Sequence, residues 1–173
     1  IGAINVLLQL FYTFMVIYVP LYLTEVIGFS WSELGLILCI ALIPFVLLDS
    51  PVGELADKKY GEKEILITGF SILAVTSASI AFVDSANILI WAGLLFLSRV
   101  GASMTDVSSE TYFFKKAQGR DELIGIYRIG TPLAFIIGPL LGSIAISILP
   151  FNYIFLVLGI VLLAGVYLSS TLK

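Results

Sequence analysis

Six stretches of about twenty apolar residues, separated by short polar connections, constrain this chain more than any other feature of its sequence. They run approximately over residues 4–23, 34–55, 65–83, 88–113, 123–149 and 153–172. At 1.5 Å per residue, a helix of that length crosses roughly 30 Å of hydrocarbon. A membrane β-barrel would show segments of about ten residues with alternating polarity, not continuous apolar runs. Lipid supplies no hydrogen bonds, so each run must satisfy its own backbone as a helix. The expected fold is an all-α membrane protein, a single six-helix bundle over residues 1–173. Composition agrees, with 60% hydrophobic residues, 12% charged residues and a mean hydropathy of +1.10. A soluble domain carries about a quarter charged residues. A disordered chain, a basic nucleic-acid binder and a water-soluble enzyme are thereby excluded. Histidine is absent and Cys39 is the single cysteine, so neither a metal site nor another cofactor is expected. The first run has no basic start and no cleavage-site pattern, unlike a secretory signal. With no initiator Met before it, the sequence is expected to begin inside a longer chain.

The scarce basic residues set an orientation. Lys58, Lys59 and Lys63 lie between spans 2 and 3, Lys115, Lys116, Arg120 and Arg128 around the connection of spans 4 and 5, and Lys173 at the C-terminus. The connections at residues 24–33, 84–87 and 150–152 hold no Lys or Arg. By the positive-inside rule both termini are cytoplasmic.

Charge inside a span is costly and must face protein or a water-filled cavity. Arg99 lies near the middle of span 4, and Ser103, Asp106 and Glu110 follow it at helical spacing on one face. Two readings are open: the stripe is a wall for substrate or coupling ions, or Arg99 is a structural ion pair, with Asp49 of span 2 as a partner. Span 1 repeats the pattern, with Asn5, Gln9 and Thr13 every fourth residue and Tyr12 beside them, as a cavity wall or an interhelix seam. Phe11, Phe14, Tyr18 and Tyr22 are expected to face lipid or its interface. Pro20 can bend span 1, and Pro44 and Pro51 free carbonyls in span 2. In span 5, Gly138 and Gly142 form a small-xxx-small face for close approach, and Pro139 bends the axis.

The loop after span 2 reads Gly53-Glu54-Leu55-Ala56-Asp57-Lys58-Lys59-Tyr60-Gly61-Glu62-Lys63. It resembles the G-x-L-a-D-[RK]-x-G-[RK]-[RK] signature of the major facilitator superfamily, found in the same loop. One extra residue stands between Asp57 and Gly61, and Glu62 replaces a basic residue. Such a loop is more like the copy in that family's C-terminal half. Arg99 resembles the arginine of the fourth-helix R-x-x-x-G-x-g element. Gly138-Pro139-Leu140-Leu141-Gly142-Ser143 resembles the fifth-helix G-P-x-x-G-G element of drug/proton antiporters.

The resemblance implies one six-helix half of a secondary transporter, built as two inverted three-helix repeats. Its first and fourth spans would line a cavity shared with the other half, opened to each side in turn. Asn5, Gln9, Tyr12, Thr13, Arg99 and Ser103 would then face a small-molecule substrate. Asp49, Asp106 and Glu110 are the candidates for carrying a coupling proton. Gly53, Asp57, Lys58, Gly61 and Lys63 would form a gate latch. Partners are the lipid bilayer, the other half, the substrate and protons, without nucleic acid. No chemistry on the substrate is implied, and the location is the cell membrane. Residue patterns alone leave open a non-transporting scaffold or sensor, and a six-helix transporter acting as a homodimer. Reporter fusions test the orientation. Fusions at residues 58–63 and 115–120 are expected to report the cytoplasm, and those at 84–87 and 150–152 the opposite side. Replacing Lys58, Lys59 and Lys63 with Gln is expected to yield mixed orientations.

Overall fold

The computed structural model of the chain describes residues 1–56, 61–117 and 121–172. Asp57 and Lys58 of the loop motif lie outside the described residues, as does the side chain of Asp49. Six long helices follow in order: α1 (Gly2–Tyr22), α2 (Trp31–Leu55), α3 (Glu62–Ile80), α4 (Ile88–Lys116), α5 (Asp121–Ile148) and α6 (Tyr153–Ser170). All six are long and apolar enough to cross a membrane. They match the six apolar runs of the sequence to within a few residues, and no strand occurs among the described residues.

Local chemistry sets the helix ends. A π-helical turn, Leu23–Ile27, prolongs α1. Gly28 stops it at φ 88, a left-handed conformation that costs glycine little. Ser30 and Glu33 then form a capping box: the Glu33 amide donates to Ser30 Oγ at 3.3 Å, and the Ser30 amide donates back to Glu33 Oε2 at 2.8 Å. That box starts α2 at Trp31, so Glu33 belongs to the helix and not to the connection before it. At the start of α4, the Asn87 side chain accepts the Leu89 amide at 2.9 Å.

α1 packs along α5, α2 along α4, and α3 along both α4 and α6, with lesser contacts of α1 to α4 and α6. Exchanging α1 with α4, α2 with α5 and α3 with α6 returns the same set of pairs. The fold is therefore two inverted three-helix repeats. α1 and α4 lie at the centre of one layer with α5 and α2 on their outer sides, and α3 and α6 form the layer behind. Ile4, Leu8, Phe11, Met15, Tyr18 and Tyr22 put a stripe of three- and four-residue spacing from α1 into the core. Leu66, Phe70 and Leu73 of α3, Trp91 and Leu95 of α4, and Phe155 and Leu158 of α6 meet it there.

The α1 aromatics depart from the sequence expectation. Phe11, Phe14, Tyr18 and Tyr22 are all buried in the protein and not turned to lipid. Tyr22 packs edge-on against Trp91, Phe151 and Phe155. The Tyr18 hydroxyl donates to the Pro139 carbonyl at 2.9 Å, so the phenol has a partner away from water.

The small face of α5 does bring two helices close. A Cβ at Gly138 would lie 2.6 Å from Thr13 Cγ2, and one at Gly142 would run into the Tyr18 ring. Gly142→Val should therefore cost about 1–3 kcal/mol, the usual range for overpacking. Gly35→Ala is the control, since nothing lies within 4 Å of a Cβ there. Unfolding by denaturing detergent in mixed micelles should show a loss for Gly142→Val and none for Gly35→Ala.

Candidate functional site

Two crevices open where α1 and α4 meet their neighbours. The end of the bundle at which α1, α3 and α5 begin is called the basic end, after the lysines there; the other is the far end.

The crevice at the basic end is a polar cleft of about 130 Å³ between α1, α4 and α5. α1 contributes Asn5 and Gln9, α4 contributes Asp106, Glu110 and Phe114, and α5 contributes Ile124, Tyr127, Arg128 and Thr131. Several of these side chains are fixed by one another. Asn5 Nδ2 donates to the Tyr127 carbonyl at 2.9 Å, and Asn5 Oδ1 accepts from Gln9 Nε2 at 3.4 Å. The Tyr127 and Ser109 hydroxyls bond at 3.1 Å, and the Tyr127 ring stacks on Phe113 at 4.2 Å. Tyr12 spans the layer to donate to Asp106 Oδ2 at 3.3 Å. With two carboxylates and a guanidinium on its walls, the cleft can hold water, a polar solute or an exchanging proton.

The second crevice, at the far end, is a pocket of about 180 Å³ between α1, α2 and α4. Met15, Val16, Pro20, Leu38, Ala41 and Leu42 make it apolar, and Arg99 is its one charged residue among the described residues. Arg99 is 5% exposed. Its guanidinium lies over the Phe11 ring, 5.5 Å from the centroid, an arrangement that attracts cation to π-face. Nε and Nη1 have no hydrogen-bond partner among the described residues. The exchange of α1 with α4 and α2 with α5 converts one crevice into the other. The repeat thus builds a crevice at each end.

The polar stripe of α4 runs from one crevice to the other. Arg99 lies in the far pocket and Asp106 and Glu110 in the basic-end cleft. Ser103 between them is fully buried. Thr13 is also fully buried, its hydroxyl bonded to the Gln9 carbonyl at 2.9 Å and its methyl set against Gly138. The structure therefore brings Asn5, Gln9, Tyr12, Asp106 and Glu110 together, puts Arg99 apart, and leaves Thr13 and Ser103 inside the protein.

The loop residues have local roles. Gly61 sits at φ 83, where a side chain would be strained, and its amide donates to the Ala56 carbonyl at 3.1 Å. Lys63 Nζ donates to the Leu172 carbonyl at 3.0 Å, placing positive charge at the C-terminal end of α6. Glu62, the departure from the loop signature, pairs with Lys115 at 2.5 Å and ties the start of α3 to the end of α4. At Gly53 an added Cβ would meet only Val107 Cγ1, at 3.8 Å, so no close approach requires glycine there.

Tyr127, Arg128 and Thr131 are polar wall residues absent from the sequence expectation, as are the apolar Phe114 and Ile124. Arg128 served there only as a topology charge. The one signal was a polar pair at helical spacing, Tyr127 and Thr131, at the start of an otherwise apolar span. Removal of the Asn5 amide leaves the Tyr127 carbonyl without its donor. Asn5→Ala should lower stability in mixed micelles by about 1 kcal/mol, the usual scale for a side-chain hydrogen bond in a membrane protein. Gln9→Ala, whose half-buried amide makes one long bond, should change it by less than half as much.

The family model for the Major Facilitator Superfamily matches residues 1–172. The six apolar helices, the inverted repeat and this match over nearly the whole chain lead to one conclusion: the chain belongs to the Major Facilitator Superfamily of membrane transporters.

Proposed function

We propose that this chain is one half of a secondary active transporter whose pathway runs along the face of α1 and α4. The observation that carries the proposal is the pair of crevices, one at each end, both walled by those two helices. A second six-helix half covers the face, and both termini are cytoplasmic, so the polar cleft opens to the cytoplasm. Burial supports an outer position for α2 and α5. Only 22% of the apolar window of each is buried, against 50% for α1, α3 and α4, leaving apolar surface for lipid and for the second half. Asp106, held by Tyr12, is the carboxylate positioned to take a coupling proton as the cleft closes. In this reading Gly53, Asp57, Lys58, Gly61 and Lys63 latch the halves, and the protein works in the cell membrane.

Paired cysteines in a Cys39→Ser background test alternating access. Gln9→Cys reports the cytoplasmic cleft, and Val16→Cys, at an exposed position, reports the far pocket. A bulky maleimide on Gln9→Cys should wedge the cleft open and slow labelling at Val16→Cys from the other side by about tenfold. Changing pH should shift Val16→Cys labelling, and Asp106→Asn should flatten that response. Labelling at Val16→Cys that ignores modification at Gln9→Cys would defeat the proposal.

A further inference from the structure

Arg99 is 95% buried by its 5% exposure, yet Nε and Nη1 find no acceptor among the described residues. A buried donor without a partner carries its full desolvation cost, which is largest for a charged group. Such groups are uncommon in folded proteins and mark places where something further binds. The Phe11 ring holds the guanidinium from one side but accepts no strong hydrogen bond from Nε or Nη1. Beside it lies the pocket of about 180 Å³, whose other walls are Met15, Val16, Pro20, Leu38, Ala41 and Leu42.

We infer that the far pocket binds an amphipathic organic monoanion, with its carboxylate or sulfonate on Arg99 and its apolar body along α1 and α2. The planar guanidinium presents paired N–H groups that match the two oxygens of such a head group. A single cation suits one negative charge; a phosphate dianion would want a second cation, and the described pocket walls supply none. The apolar walls select against small hydrophilic anions, which would lose water there without gaining contacts. Met15, unbranched and with three rotatable bonds, is the wall residue able to yield so that the head group reaches the guanidinium. Binding stands on Arg99 and the pocket alone. That the bound anion is also carried across the membrane rests on the alternating-access reading above.

Equilibrium binding to the intact protein in nanodiscs, corrected with protein-free nanodiscs, tests the inference. Octanoate and octanesulfonate should each show one saturable site per chain. Butanoate should bind at least about tenfold more weakly, and octylammonium should show no saturable component. Arg99→Gln should weaken octanoate binding by at least about tenfold, as expected when a buried charge pair loses one partner. Arg99→Lys should retain part of it. Leu42→Trp fills the pocket from an exposed position while keeping Arg99, and should also abolish binding. Absence of a saturable octanoate site in the parent protein overturns the inference, as does undiminished binding by a folded Arg99→Gln or Leu42→Trp variant. If the paired cysteines still respond to each other while octanoate does not bind, the ligand class falls and alternating access stands. If octanoate binds while the cysteines do not respond, the site stands and its part in transport falls.

Discussion

Hydrocarbon offers no hydrogen-bond partner, and that constraint organises the whole bundle. Every backbone polar group must be satisfied within a helix, and every polar side chain in a span must find protein or trapped water. The polar residues of α1 and α4 consequently turn toward each other and toward α5. Asn5 reaches the backbone of α5, Tyr12 reaches Asp106, and Ser109 reaches Tyr127. Because lipid is as apolar as leucine, little hydrophobic force holds the helices together, and shape complementarity does more of the work. The glycines of α5 against Thr13 and Tyr18 are one result. Cohesion and the polar cleft are thus two outcomes of one demand.

The same constraint decides what the sequence discloses. Helix number and bounds are legible because a span needs a fixed length of apolar chain. The inward direction of the Asn5 and Arg99 stripes is legible because the alternative costs several kcal/mol. What fails is the separation of lipid-facing from core positions, since both are apolar. Phe11, Phe14, Tyr18 and Tyr22 fit a lipid-facing belt equally well in the sequence, and only the placement of α4, α5 and α6 against α1 buries them.

The parts of the site contributed by neighbours are hidden for a related reason. That Thr13 is sealed by Gly138 follows from α5 packing beside α1, a pairing no local pattern announces. The contribution of Tyr127, Arg128 and Thr131 to the cleft follows from the same pairing. Glu62 is the opposite case. It reads as a defect in the loop signature until Lys115 is seen beside it. A motif position can change sign when its neighbour in space compensates, although an exposed pair of this kind contributes little to stability.

The inverted repeat supplies a mechanical reason for the crevices to act in opposition. Both crevices share α1 and α4 as walls, and between them the two helices touch where Phe11 lies against Arg99 and Tyr12 bonds Asp106. Packed helix contacts resist compression, so relative motion takes the form of tilting or sliding, not of uniform expansion. In the alternating-access reading proposed above, a tilt of α1 against α4 about a level between the crevices would widen the basic-end cleft and narrow the far pocket, because the same two rods bound both. The repeat relates the crevices by the helices that wall them, but the sequence makes them unlike in chemistry. Carboxylates, amides and the Arg128 guanidinium line one, while the other is apolar but for the Arg99 guanidinium among the described residues. On the inference drawn above, a solute with an anionic head and an apolar body would meet its best partner at one end of the tilt only. Such a difference in affinity would let binding, and not only thermal motion, bias which end is open.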